Sequence, residues 1–294
     1  MPRNNLKAAQ LPDVLSLPAQ LTAPPIPAAG DVSLYTRRRA GYDFLEIMRA
    51  SGRDIAMQPH FGINRIGLWT PASTGSINTL NLNNTNSGTR STPSPSPGGI
   101  AVSSRRWAAA SGTTAGSCAE ERGAWTFMWR GNAPGLGGFI SILRFRVLTL
   151  QAGANGFFGL LNNSSNINVL DLTASVGQQL VGIGFKQGVH ANWQIVCKGS
   201  AAGPASFIDL GSNFPINDPN GVLTLYIFSP QNGGSIHVRV VREDTGKIAE
   251  FELTDQALIP PAATMLTPRL HLDNGATAAA VAFECYGVYC ETDY

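Results

Sequence analysis

Charge is scarce in this sequence. Asp, Glu, Lys and Arg make up 14% of its 294 residues, against about a quarter in ordinary soluble domains. The 21 basic and 19 acidic side chains leave a formal net charge of +2, which excludes the basic stripe that a nucleic-acid partner requires. No apolar run approaches the roughly 20 residues of a membrane-spanning helix, so membrane insertion is not expected. The N-terminus, Met1-Pro2-Arg3-Asn4-Asn5, lacks the charged-then-apolar layout of a secretory signal. The expected place of synthesis and assembly is therefore the cytoplasm.

Cysteine and histidine are equally sparse. Cys118, Cys197, Cys285 and Cys290 include no C-x-x-C pair, and the four histidines are scattered, so neither a zinc site nor any other cofactor is expected. Cys285 and Cys290 stand at an odd offset, which puts them on opposite faces of one straight strand. Free, buried thiols are the expectation.

Signatures of catalysis are missing as well. Neither G-x-S-x-G nor H-E-x-x-H occurs. Gly131 to Gly138 is rich in glycine but lacks the G-x-x-x-x-G-K-[ST] spacing, and reads as a turn before a strand at Phe139. Carboxylates such as Glu120, Glu121, Asp209, Asp273, Glu284 and Glu291 read as solvated residues of turns or wet strand faces. A glycosidase pair among them would need a long groove, usually built on repeats, and no fixed-length repeat is present. No helical periodicity exceeds about two turns. The chain is expected not to be an enzyme.

What the sequence does contain is β signal and turn chemistry. Residues 1–30 form a Pro/Ala-rich arm, with Ala23-Pro24-Pro25-Ile26-Pro27, that favours extended backbone without a fold of its own. Residues 31–69 form a small β module, in which Val32 to Thr36 and Tyr42 to Met48 flank Gly41 as a hairpin. The basic run Arg37-Arg38-Arg39 beside this turn reads either as a solvated loop or as a contact for an acidic partner. Residues 70–104 form a polar connector, with five asparagines between Asn78 and Asn86 and the linker Ser91-Thr92-Pro93-Ser94-Pro95-Ser96-Pro97-Gly98-Gly99. Ile77, Leu80 and Leu82 are too few for a core there.

From 105 to 294 the pattern is that of an antiparallel β-sandwich of jelly-roll or lectin-like kind. Leu143 to Val147, Ile236 to Val240 and Ile248 to Leu253 alternate, each giving one buried and one wet face. Val222 to Phe228 is uniformly apolar. With the turns Pro230 to Gly234 and Glu243 to Gly246, the last three of these runs predict a meander. Further strands are expected at 124–130, 156–161, 181–185, 193–198, 266–272 and 279–289, for nine or ten in all. In His190-Ala191-Asn192-Trp193 the tryptophan and asparagine suit sugar contact, one by stacking and one by hydrogen bonding, although Trp193 reads equally as a core residue. Trp125 and Trp129 share a parity and are expected in the core.

The segments Gly30-Asp31-Val32-Ser33-Leu34-Tyr35, Gly52-Arg53-Asp54, Gln58-Pro59 and Gly62-Ile63-Asn64-Arg65-Ile66 together resemble the N-terminal attachment region of structural proteins in long-tailed bacteriophages. The stretch from Leu272-Asp273-Asn274-Gly275 through Gly287-Val288-Tyr289 to Asp293-Tyr294 is similar to the C-termini of phage tail-fibre or virion proteins, and Glu120-Glu121-Arg122 and Trp129-Arg130-Gly131-Asn132 extend the likeness. It implies a non-catalytic tail-fibre or receptor-binding protein on the virion tail, as a homotrimer, with tail or baseplate proteins and a host-surface glycan or protein as partners. Two alternatives stand beside it: a capsid-decoration or baseplate protein without an external ligand, and a surface-polysaccharide depolymerase. On this reading Tyr35, Arg37, Arg38, Arg39, Tyr42 and Phe44 are the candidate attachment residues. His190, Asn192, Trp193, Asn232, Asp273 and Asn274 are the candidate receptor contacts.

Overall fold

The computed structural model describes residues 17–50, 52, 54–56, 66–68, 82–84, 88–174, 177–200 and 202–292. The first half of the Pro/Ala arm, Ser51 and Arg53 of the turn, Gln58-Pro59, Gly62 to Arg65, and Ile77 and Leu80 lie outside them. The chain divides into two units, residues 1–60 and 61–294.

In the first unit the alternation at 32–48 becomes a hairpin of β2 (Val32–Arg39) and β3 (Tyr42–Arg49), flanked by β1 (Ala19–Gln20) and β4 (Asp54–Ala56) in the order β1-β2-β3-β4. The connecting residues Ala40 and Gly41 have φ of 47° and 78°, the doubly positive turn whose twist matches antiparallel strands. The arm therefore contributes to the sheet: β1 pairs in parallel with Thr36 and Arg37. The basic run belongs to β2 and is not a loop. Strand parity turns Arg37 and Arg39 to the side of Tyr35, where Arg37 Nη1 lies 3.0 Å from Asp54 Oδ2 and Arg39 Nη2 lies 3.1 Å from Glu46 Oε1. Tyr35 and Phe44 are only 3% exposed. Tyr35 and Phe44 are thus buried, and Arg37 and Arg39 are held by buried carboxylates; Arg38, paired to exposed Asp43, and half-buried Tyr42 remain at the surface.

The second unit runs β5 (Ile66–Leu68), β6 (Leu82–Asn84), β7 (Arg90–Ser91), α1 (Ile100–Ser103), β8 (Trp107–Ala110), β9 (Cys118–Gly123), β10 (Phe139–Thr149) and β11 (Asn155–Leu161). It continues with β12 (Leu180–Lys186), β13 (Gln194–Lys198), β14 (Ser206–Asp209), β15 (Leu223–Ser229), β16 (Ile236–Arg242), β17 (Lys247–Leu253), β18 (Thr267–Asp273) and β19 (Ala282–Thr292). One sheet has the order β17-β16-β15-β10-β19-β8-β7, with β5 also on β19; the other has the order β14-β13-β12-β11-β18-β9-β6. The expected meander is β15, β16 and β17, all antiparallel. Eight and seven strands replace the nine or ten expected, because pieces of two to four residues (β5, β6, β7, β8 and β14) carry too little alternation to be read. Three of those pieces come from segments read as attachment module or connector, so the sandwich begins before residue 105. The strand expected at 124–130 is a single bridge, Met128 to Leu266.

The inner faces share one core. Phe145 stacks on Phe158 with centroids 3.9 Å apart, and Trp193 meets both edge-on at 5.7 and 5.6 Å. All four cysteines are free and buried. The odd offset of Cys285 and Cys290 does not separate them, because Arg144 pairs with Gly287 while Phe145 pairs with Cys285, leaving Tyr286 as an extra residue in β19. This bulge flips the parity, so Phe283, Cys285, Val288 and Cys290 all enter the same core.

The outer face of the second sheet is covered too. Gly159 pairs with Gly182 there, and a Cβ added to neighbouring Gly184 would lie 2.8 Å from Leu172 Cδ1. These glycines open the space into which Leu170 and Leu172, from the segment after β11, pack against Phe157, Leu180 and Val196. Beside them a charged strip binds the same segment. Arg269 Nη1 donates to Glu120 Oε2 at 2.6 Å, and its Nη2 donates to the carbonyls of Asn163 and Ser165 at 2.8 and 2.7 Å. Arg122 adds bonds to Ser164 O and Asn166 Oδ1. Asp273 Oδ2 accepts the Leu170 N–H at 2.9 Å. Glu120, Glu121, Asp273, Glu284 and Glu291 are at most 4% exposed rather than solvated. A strand face that is wet in an isolated sheet is here roofed over, and buried charge then requires a partner on the next strand.

His271 sits within this strip with Nδ1 2.9 Å from Glu120 Oε2 and Nε2 3.0 Å from Asp273 Oδ2. Burial opposes its charge, but the hydrogen bonds and attraction of the two carboxylates outweigh it and raise its pKa above the ordinary histidine value. A raised value in the folded state means that its stabilisation is complete below about pH 6.5 and is lost as pH rises through the folded pKa. The urea stability of wild type minus that of His271→Gln should therefore be largest in mild acid and shrink with alkalinity; a constant difference would refute an imidazolium. For the bulge, deleting Tyr286 should join the pairs Phe145–Cys285 and Arg144–Gly287 into a regular ladder, keep Phe283, Cys285, Val288 and Cys290 inward and preserve cooperative urea unfolding; loss of cooperativity would refute the bulge. Tyr286→Ala keeps the residue count and should cost about 3 kcal/mol in a folded protein.

Candidate functional site

The outer face of the first sheet carries an open hollow of about 260 Å³. Two adjacent rungs build it. In one, Tyr289, Ile142 and Tyr226 follow each other across β19, β10 and β15, with Arg239 and Glu250 continuing the row on β16 and β17 beyond the hollow; in the next, Gly287, Arg144 and Thr224 are opposed. Tyr286, thrown outward by the bulge, and Glu243, in the turn after β16, complete the lining. Gly287 brings no side chain to the floor. A hollow of this size accepts one small polar ring rather than a drug-sized ligand, which needs about 300 Å³ or more.

Its walls are held rigidly. The Tyr286 hydroxyl lies 2.8 Å from Ala101 O and 3.0 Å from Glu284 Oε2, and its ring packs against α1 and Val222. Glu284 also takes Arg106 Nε at 2.9 Å and Arg146 Nε at 2.7 Å. Arg144 lies over the Tyr286 ring with Cζ 5.7 Å from the centroid, and Arg239 over Tyr226 at 6.0 Å. Thr224 Oγ1 donates to Glu243 Oε1 at 2.7 Å, and Tyr289 OH to Glu291 Oε2 at 2.6 Å. Burial, with Glu284 beside Tyr286 and Glu291 beside Tyr289, pushes both phenols above their ordinary pKa, so they remain donors. The arrangement offers aromatic faces, hydroxyls, a guanidinium and one carboxylate acceptor to a polar ring. Among the described residues lining it, Glu243 is the one carboxylate.

The residues expected to contact a receptor are not brought together. His190 and Asn192 lie in the loop between β12 and β13. His190 Nδ1 accepts the Lys186 N–H at 3.1 Å while its ring meets Phe207 at 4.7 Å, and Asn192 Nδ2 donates to Asp209 Oδ2 at 3.3 Å. Trp193 is 4% exposed and fills the core. Asn232 is exposed in the β15–β16 turn with φ of 49°. Asp273 and Asn274 are fully buried, a correction with a clear cause. Asp273 belongs to the charged strip, and Asn274 pins loops by accepting the Ser117 N–H at 3.0 Å and donating to Thr114 O at 2.9 Å. Trp125, expected in the core, is 68% exposed because no strand forms around it.

Arg144, Tyr226, Glu243, Tyr286 and Tyr289 were not expected as site residues. Arg144 is legible as an outward position of an alternating strand, whereas Tyr226 belongs to a uniformly apolar run that marks no outward face. The outward turn of Tyr286 depends on the bulge, for which the sequence carries no signal.

No family model matches the sequence, and no curated protein matches it. Among solved structures, lectin II from Ulex europaeus is similar over 79% of this chain and 100% of its own, with 10% identity and a TM-score of 0.51. The lectin UEA-II complexed with galactose is similar over 79% of this chain and 100% of its own, with 11% identity and a TM-score of 0.51. A protein of unknown function from Shewanella oneidensis MR-1 covers 77% of this chain and 85% of its own at 12% identity, with a TM-score of 0.47. At such identities the likeness speaks for the fold alone: the second unit is a lectin-like antiparallel β-sandwich.

Proposed function

We propose that this chain is a non-catalytic surface-recognition protein of the phage tail-fibre or receptor-binding type, whose sandwich holds a glycan of the host surface. The observation that carries the glycan reading is the rigid hollow lined by Tyr226, Tyr286, Tyr289, Arg144 and Glu243. Stacking surface next to hydroxyl, guanidinium and carboxylate groups is what a sugar ring, with one apolar face and a polar rim, requires. A single lining carboxylate argues against hydrolysis by an acid pair. The tail assignment rests on the resemblance of the segments around 30–66 and 272–294, and the homotrimer on the same analogy. In this reading the first unit joins the protein to tail or baseplate components, with exposed Val32 and Leu34 offering apolar contact.

The full chain on a glycan array should retain at least one class of glycan, and Tyr226→Ala should weaken that binding at least about tenfold with the fold intact. Binding to no glycan would overturn the recognition role. Immunogold signal on the head of the particle would overturn the tail assignment in favour of a decoration protein.

A further inference from the structure

We infer that the hollow selects a sugar unit bearing a carboxylate, with Arg144 as the residue that anchors it; this rests on the glycan reading above. The arginines around the hollow have acidic partners: Arg106 and Arg146 share Glu284, and Arg239 Nη1 faces Glu250 Oε1 at 3.4 Å. Arg144 differs. Among the described residues it makes no ion pair, and it is only half-buried and lines the hollow. Its Cζ lies over the Tyr286 ring, 5.7 Å from the centroid, and a guanidinium held by attraction to an aromatic face still has N–H donors for a planar, bidentate acceptor. A carboxylate fits those donors, and the aromatic wall beside them fits the ring to which the carboxylate is attached.

Glu243 fixes the orientation. It stands across the hollow at Thr224, the cross-strand neighbour of Arg144, and receives the Thr224 hydroxyl. A ligand carboxylate is repelled from that side and drawn to Arg144, while sugar hydroxyls donate to Glu243. The pairing of one anchor with one repelling group sets both the charge and the direction of the bound unit. A neutral sugar leaves the Arg144 edge without an anionic partner and gives up the stronger, charge-assisted bond.

The test is titration of the full chain, by calorimetry or NMR, with galacturonic acid, glucuronic acid and N-acetylneuraminic acid, and with galactose, glucose and sodium sulfate. At least one acidic sugar should bind about ten- to hundredfold more tightly than the neutral sugars, with the preference falling as salt rises. Arg144→Gln should remove the preference while shifting the thermal midpoint by no more than roughly 2 °C, and Arg144→Lys should restore part of it. Equal affinity for acidic and neutral sugars, or a preference that survives in Arg144→Gln, would overturn this inference and leave the glycan reading standing. Sulfate binding as tightly as the acidic sugars would replace it with a general anion site. Binding of none of the sugars would overturn both.

Discussion

The extra residue in β19 governs more of this protein than any single contact. Upstream of Tyr286, odd-numbered positions face the core, as Phe283 and Cys285 do; downstream, even-numbered positions do, as Val288 and Cys290 do. Without the bulge one of those two sets would be driven to the surface, because a strand's side chains alternate without exception. The same residue supplies the outer face: Tyr286 lies between α1 and Arg144, Tyr289 lines the same hollow, and Gly287 stands opposite Arg144 on its floor. The wall of the hollow is therefore a consequence of one insertion in the β10–β19 pairing, and the bulge that absorbs it keeps both halves of β19 in phase with the core.

The low charge of the sequence acquires a meaning from where the charges sit. Many are internal: Arg269, Glu120, His271 and Asp273 are fully buried, and Arg106, Arg146 and Glu284 nearly so. In both sheets the outer face is roofed in part, by the segment after β11 in one and by α1 and its flanks in the other. Charged groups under such a roof are kept only where a partner meets them, since an unpaired buried charge is more costly than the pair is favourable. Arg144 stands outside that rule: it is only half-buried, and beside the ion-paired Arg106, Arg146 and Arg239 it makes no ion pair among the described residues.

The parts of the fold that rest on period-two alternation were legible. Leu143 to Val147, the meander from Val222 to Leu253 and the strands around 156–161, 181–185, 193–198 and 266–272 lie where the alternation places them. The reading stopped where a second layer decides burial. Nothing local in Glu120-Glu121-Arg122 or Arg269-Leu270-His271-Leu272-Asp273 distinguishes a solvated face from one covered by a distant loop. Short edge pieces such as Arg90–Ser91 owe their conformation to the strand beside them rather than to their own pattern. The candidate contact residues failed for a related reason: polar loop types such as Asp273 and Asn274 serve as often to tie loops together as to reach outward.

The location of the hollow bears on how recognition would work. Recognition commonly lives in loops, yet the hollow is made by side chains of β10, β15 and β19, with Glu243 the one contribution from a turn. Side chains on paired strands are fixed by register, and Tyr286 is fixed further by its hydroxyl and its packing on Ala101 and Val222. A site of this kind loses little conformational entropy when a ligand enters, so few contacts suffice for selectivity. On the proposed reading, discrimination would rest on the chemical identity of a few groups, above all the guanidinium of Arg144, rather than on the closure of a mobile loop.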